Sequence, residues 1–203
     1  MFDIFTSKYT PMKRYDYTLL FKAIMIDTYH EVLKHFILFN NTYTYTKSKV
    51  RISILNECLR KSCIRGDLNI FNIFINIPEV DPWFNNNACL IMAIKKCNIN
   101  IVSHLLLYPK LDINIQGGDA LITACSVKCD SIASLILSFD GTDPNTIDNL
   151  AVEECIHNEM YHTLTEIISH PKVSHNTLLS ALDIASINRD LYAIELIRMS
   201  LKF

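Results

Sequence analysis

One spacing constrains this chain more than any other feature: residues of matching character recur every 31 positions through its middle. Leu59, Leu90 and Leu121 keep the step, with Val152 next, and so do Ser62, Ala93, Ala124 and Cys155. The polar positions follow the same register. Asp81, Asp112 and Asp143 recur at that interval, as do Asn114, Asn145 and Asn176, while Pro78 and Pro109 repeat and Pro171 returns to register. A period of this length that covers apolar and turn positions together marks a structural repeat, in which each unit buries its apolar faces against its neighbours.

Within one period the pattern reads as two short helices and a loop. Leu90, Ala93, Ile94 and Cys97 form an i, i+3, i+4, i+7 stripe, the mark of one buried helical face. Asn98–Asn100 supply turn chemistry, and Ile101, Val102, Leu105 and Leu106 form a second stripe that Pro109 closes. The segment 111–114 reads as extended, and Gly117-Gly118 lies in the next connection, where a positive φ is cheap for glycine. The small residues at Ser62, Ala93, Ala124, Cys155 and Ala185 are what closely spaced first helices require, because bulk there forces adjacent pairs apart.

The stretch from Asn87 to Asn114 resembles an ankyrin repeat of the kind whose closing Gly-Ala-Asp is replaced by Pro-x-apolar-Asp. Weaker copies run over 52–83, with Gly66 at the family's inter-helix glycine, over 119–145 and over 150–176. A last copy over 176–203 is one residue shorter and uses Leu182, Ala185, Ile194 and Ile197 as core. The family's Thr-Pro-Leu-His motif is absent, and Cys97, Lys128 and Glu159 stand where Gly66 stands, which marks a divergent, partly degenerate array. The resemblance implies an all-α, ankyrin-like helical repeat solenoid of about six helix pairs with short loops. It places the repeats at about 50–82, 83–113, 114–144, 145–175 and 176–203. Residues 1–49 form an N-terminal segment: a degenerate capping pair over 17–40, read through Leu20, Ala23, Val32, Leu33, Phe36 and Ile37, then a polar connection from Asn41 to Lys49.

Composition narrows the function classes. Half the residues are apolar and a fifth are charged, which excludes a disordered chain. The seven cysteines are odd in number and contain no C-x-x-C, so reduced, buried thiols are expected, and with them a cytoplasmic location. No apolar run reaches the ~20 residues of a membrane span, and the opening residues carry no secretory pattern. Phosphate loops, dinucleotide loops, nucleophile elbows and H-E-x-x-H are all missing. Adjacent Glu153 and Glu154 point about 100° apart on a helix and do not converge on one bond. Cys155, His157 and His162, or Cys125 with Cys129, lack standard zinc spacing. No catalytic residues, metal, cofactor or small-molecule substrate are expected, and the chain reads as a non-enzyme.

The resemblance implies a protein-interaction module, an adaptor or scaffold that binds a macromolecular partner through the concave face built from the loop tips and the exposed edge of the first helices. By position, that edge presents Arg65, Lys95, Lys96, His157, Asn158 and Asn188, and the tips present Trp83, Phe84, Asn86, Gln116, Asp119 and Asp148. Trp83 and Phe84 are either exposed aromatic anchors or a seal between adjacent pairs. Charge is divided unevenly: residues 1–110 hold 14 Lys and Arg against 8 Asp and Glu, and the remainder hold 5 against 13. The basic half, with Lys8, Lys13, Arg14, Lys47, Lys49, Arg51, Arg60, Lys61, Arg65, Lys95 and Lys96 interleaved with Tyr43 and Tyr45, is the basis of an alternative reading, contact with RNA in a ribonucleoprotein.

Overall fold

The computed structural model describes residues 16–43, 49–109 and 112–201, and among them every regular element is helical. The chain divides into two compact units, one running to Asp81 and one beginning at Pro82. The cations at Lys8, Lys13, Arg14 and Lys47, and Tyr45, lie outside the described residues.

The first unit contains α1 (Tyr17–Ile26), α2 (Tyr29–Tyr43), α3 (Lys49–Arg65) and α4 (Leu68–Ile75). α1 packs on α2 and α3, and α4 packs on α3 and α2. Asp16 and Asp67 cap α1 and α4 by accepting from backbone N–H groups of the first turn, which satisfies donors that a helix start leaves free. Leu20, Ala23 and Val32 are buried as the stripe requires, but Ile37 is exposed. Phe39 takes the inward place instead, because the buried face of α2 runs through 32, 36 and 39, an i, i+4, i+7 series. The polar connection is also shorter than expected, since α2 continues through Tyr43 and α3 opens at Lys49.

The second unit contains four helix pairs: α5 (Phe84–Lys95) with α6 (Ile99–Leu106), α7 (Ile115–Ser126) with α8 (Asp130–Leu137), α9 (Leu150–His157) with α10 (Tyr161–Ile168), and α11 (His175–Ile187) with α12 (Leu191–Leu201). The first helices pack in series, α5 on α7, α7 on α9 and α9 on α11. The second helices do the same, α6 on α8, α8 on α10 and α10 on α12. Leu90, Leu121 and Val152 are buried in that first layer, and each large apolar side chain there contributes roughly 1.5–3 kcal/mol of burial free energy. Ala93, Ala124, Cys155 and Ala185 are fully buried, so the close approach rests on the small side chains that the period places there.

The turn after each first helix is uniform although its residue is not. Gly66, Cys97, Lys128, Glu159 and Arg189 all have φ between 52° and 83°, the left-handed region. In the second unit the N–H that follows returns to a carbonyl five residues back: Asn98 to Ala93, Cys129 to Ala124, Met160 to Cys155 and Asp190 to Ala185, at 2.8–3.0 Å. This is a Schellman closure, which satisfies carbonyls at a helix end. Loss of glycine has therefore not changed the turn; the ring of hydrogen bonds holds side-chain-bearing residues in it.

The 31-residue Asp and Asn series turns out to be a clasp between loops. Oδ1 of Asp112 accepts the N–H of Asn114, and Oδ1 of Asp143 that of Asn145, each fixing a local turn. Each asparagine then reaches the next loop. Asn114 donates to the Gly141 carbonyl and accepts from the Asp143 N–H, both at 2.8 Å. Asn145 donates to the Lys172 carbonyl at 2.8 Å and accepts from the Ser174 N–H at 2.7 Å. Upstream, Asn87 donates to the Asp112 carbonyl, and within the first unit Asn56 accepts from the Asp81 N–H.

The cysteines depart from expectation. Cys58, Cys63, Cys89, Cys125 and Cys155 are buried thiols outside any disulfide, but Cys97 and Cys129 are joined in one. The helical stripe that placed Cys97 in the core overran the helix: α5 ends at Lys95, and Cys97 sits exposed in the left-handed turn, beside the turn of the next pair.

Candidate functional site

One exposed polar edge of the second unit is made by the ends of the first helices and the loop tips that precede them. The tips have an unusual backbone. Asn85, Asn86 and Asn87, then Gln116, Gly117 and Gly118, then Asp148 and Asn149 all have positive φ, at positions that match across the 31-residue period. Asparagine, aspartate and glycine tolerate this region best, which explains the composition of the tips. Glycine is demanded at Gly118, where a Cβ would lie 2.7 Å from Cγ2 of Thr146 in the following tip. One tip thus rests on the next, and Asn86, Gln116 and Asp148 are exposed on the outside.

At the helix ends, Lys95 and Lys96 are exposed at the close of α5, His157 at the close of α9 and Asn188 at the close of α11. His157 and Asn188 line one open cleft of about 480 Å³, together with Glu159, Tyr161, Arg189 and Asp190. The left-handed turn throws the side chains of Glu159 and Arg189 outward. Asp190 is held at the back: its Oδ1 accepts the Ala193 N–H and its Oδ2 accepts the Tyr161 hydroxyl at 3.1 Å. Burial and the Asp190 carboxylate push the Tyr161 phenol above its ordinary value, so it remains a neutral donor at physiological pH. The cleft carries acceptors, donors and one guanidinium without a reactive nucleophile poised against a base. It is suited to holding a polar segment of another molecule.

Not every expected residue reaches this edge. Arg65 is half-buried and engaged: its Nη1 donates to the carbonyls of Ala23, Ile24 and Asp27 at 2.6–3.4 Å, closing the end of α1, and its Nη2 lies 3.8 Å from Asp67. Trp83 is half-buried, its indole N–H donating to the Pro109 carbonyl at 3.0 Å and its ring meeting Tyr108 edge-on, contacts that fit the sealing role. Phe84 is half-buried beside it. Asn158 is half-buried and donates to the Cys125 carbonyl and to Glu154, tying α9 to α7. Asp119 is half-buried in α7.

Glu159, Tyr161, Arg189 and Asp190 were missed by sequence reasoning. The signal was present in the positions that align with Gly66, where a charged residue in a positive-φ turn must project outward. The metal sets that were considered do not assemble: Cys155 faces Cys125 across 3.4 Å, His162 stands 3.7 Å from Glu166, and among the described residues no three His, Cys, Asp or Glu side chains group as ligands. Described cations of the first unit are largely committed within it. Arg60 and Lys61 pair with Glu57, Lys61 also lies over the Phe21 ring, and Arg51 lies over Phe39 and donates to Asn40.

Among the described residues no helix is long and apolar enough to cross a membrane. Comparison with known proteins finds no family model, no curated protein and no solved structure that matches this chain.

Proposed function

We propose that this chain is a divergent ankyrin-type repeat protein that acts as a non-catalytic adaptor or scaffold, binding a polar segment of a protein partner along the edge formed by its first-helix ends and loop tips. The observation that carries the reading is the repetition of exposure. Asn86, Lys95, Lys96, Gln116, Asp148, His157 and Asn188 are exposed at related places of successive pairs. Such an edge offers a periodic row of donors and acceptors, which suits an extended polypeptide better than a small molecule. Lys95 and Lys96 favour an acidic stretch at one end of the row, and Arg189 with His157 favours carboxylate or amide groups at the other.

Affinity capture with the full chain from its native source, followed by binding measurements on the recovered partner, tests the proposal. The double change Lys95→Glu/Lys96→Glu and the double change His157→Ala/Asn188→Ala are each expected to weaken binding at least tenfold at unchanged melting temperature. Equal binding by both variants refutes the edge as the site. The alternative, RNA contact through the basic half, finds less support because Arg51, Arg60, Lys61 and Arg65 are engaged within the first unit. Recovery of nucleic acid with binding that falls steeply between low and physiological salt would favour it.

A further inference from the structure

We infer that Cys97 and Cys129 form a reversible dithiol–disulfide couple, a thiol-exchange site that tightens the junction between the α5–α6 pair and the α7–α8 pair when oxidised. The two residues lie in consecutive inter-helix turns with Cα atoms 6.2 Å apart, inside the range a disulfide spans without backbone movement. That separation is set by the turns themselves. The Asn98 N–H closes on the Ala93 carbonyl and the Cys129 N–H on the Ala124 carbonyl, bonds that do not depend on sulfur chemistry. Reduction therefore leaves both turns intact, and both redox forms are folded.

Exposure supplies the reactivity. Cys97 is exposed, whereas the five cysteines outside the disulfide are buried. Lys95 and Lys96 precede Cys97 and Lys128 precedes Cys129, against the one acid Asp130 that follows it, so the sequence neighbours are net positive, and a nearby ammonium favours the thiolate that attacks disulfides. The molecule also contains a contrasting pair. Sγ of Cys155 and Sγ of Cys125 are 3.4 Å apart, yet both side chains are buried. The hydrogen bond that the Cys155 thiol donates to Cys125, together with burial, pushes that thiol far above its ordinary range, which suppresses its thiolate and keeps that pair out of exchange.

The chemistry balances with a low-molecular-weight disulfide as oxidant. The Cys97 thiolate attacks one sulfur of the disulfide, forming a mixed disulfide and releasing one thiolate. The Cys129 thiolate then attacks the Cys97 sulfur, forming the intramolecular bond and releasing the second. The two protein thiol protons end on the two released thiolates; the protein loses two electrons and the small disulfide gains them.

The test uses the full chain, equilibrated without oxygen in buffers of graded reduced to oxidised glutathione, quenched in acid and read by differential alkylation and mass spectrometry. Cys97 and Cys129 are expected to convert together along one two-electron curve, while Cys58, Cys63, Cys89, Cys125 and Cys155 stay protected from alkylation until denaturant is added. The oxidised form should melt higher by on the order of 10 °C, because the bond closes a loop over a sequence separation of 32 residues. In the Cys97→Gly chain, where glycine suits the left-handed turn, melting should be the same in both buffers. Three results would overturn the inference: a stable glutathione adduct on Cys97 with Cys129 still reduced, a bond that glutathione cannot reduce in the folded chain, or a redox-dependent melting shift that persists in Cys97→Gly.

Discussion

Replacing Asn145 with alanine tests the loop clasp most directly. The Asn145 amide serves four partners: Nδ2 donates to the Lys172 carbonyl and to Asp143 Oδ1, and Oδ1 accepts from the Ser174 N–H and the Thr177 hydroxyl. Alanine removes all four bonds. The Thr177 hydroxyl already lies 2.9 Å from Ser174 Oγ and can turn to it, and the Lys172 carbonyl lies where water replaces the lost donor at little cost. The Ser174 N–H is more enclosed and precedes the first turn of α11, so its orphaning costs the most. At ~1 kcal/mol for each of the cross-loop bonds, with the solvent-facing one discounted, the loss is about 2–2.5 kcal/mol. For a unit of this size that lowers the melting temperature by roughly 8–12 °C. Urea unfolding of the full chain measures it, with Asn176→Ala as control, since Asn176 holds the same place in the period but is exposed. The control is expected to change stability by less than about 0.5 kcal/mol. Equal effects of the two substitutions would refute the claim that the asparagine series works by reaching the next loop.

Three further outcomes are expected. Gly118→Ala combines a left-handed penalty of about 1–2 kcal/mol with a Cβ placed 2.7 Å from Thr146, so it should destabilise by at least about 2 kcal/mol in chemical unfolding; Gly141→Ala, which has no positive φ, should cost less. Lys128→Gly and Glu159→Gly relieve left-handed strain in turns that already suit glycine, and each should raise stability by up to about 1 kcal/mol after the extra unfolded-state entropy is counted, measurable as an upward melting shift. The Glu57 carboxyl is held below its ordinary value first by its hydrogen bond to Arg60, so it contributes stability that is complete above the usual carboxylate range and is lost as pH falls through the lowered folded value; Glu57→Gln should therefore be less stable than the parent at neutral pH, with the difference vanishing in acid.

How far the sequence speaks is clear from particular residues. Helical pairs, their stripes and the small contact residues were legible because burial repeats with a period that Leu90, Leu121, Ala93 and Ala124 state openly. The Asp and Asn series announced loops but not their bonding, since the partners of Asn114 and Asn145 lie 27 and 29 residues away. Arg65 looked like a partner residue because the carbonyls it closes lie 38–42 residues earlier, beyond any local pattern. Trp83 offered an anchor or a seal on sequence grounds, because its bond to the Pro109 carbonyl spans 26 residues and leaves no local pattern. Cys97 fitted an apolar stripe that a one-turn extrapolation carried past the helix end, so its exposure and its pairing with Cys129 were both hidden.

Because each asparagine must meet a carbonyl 27 residues on and an N–H 29 residues on, an insertion or deletion between two clasped loops throws both bonds out of step at once. Growth or shrinkage of such a chain is tolerated only in whole blocks, which acts as a ratchet on its evolution. The single missing residue in the series falls between Glu159 and Arg189, a step of 30, and the helices it sits among are past the last clasp that counts residues.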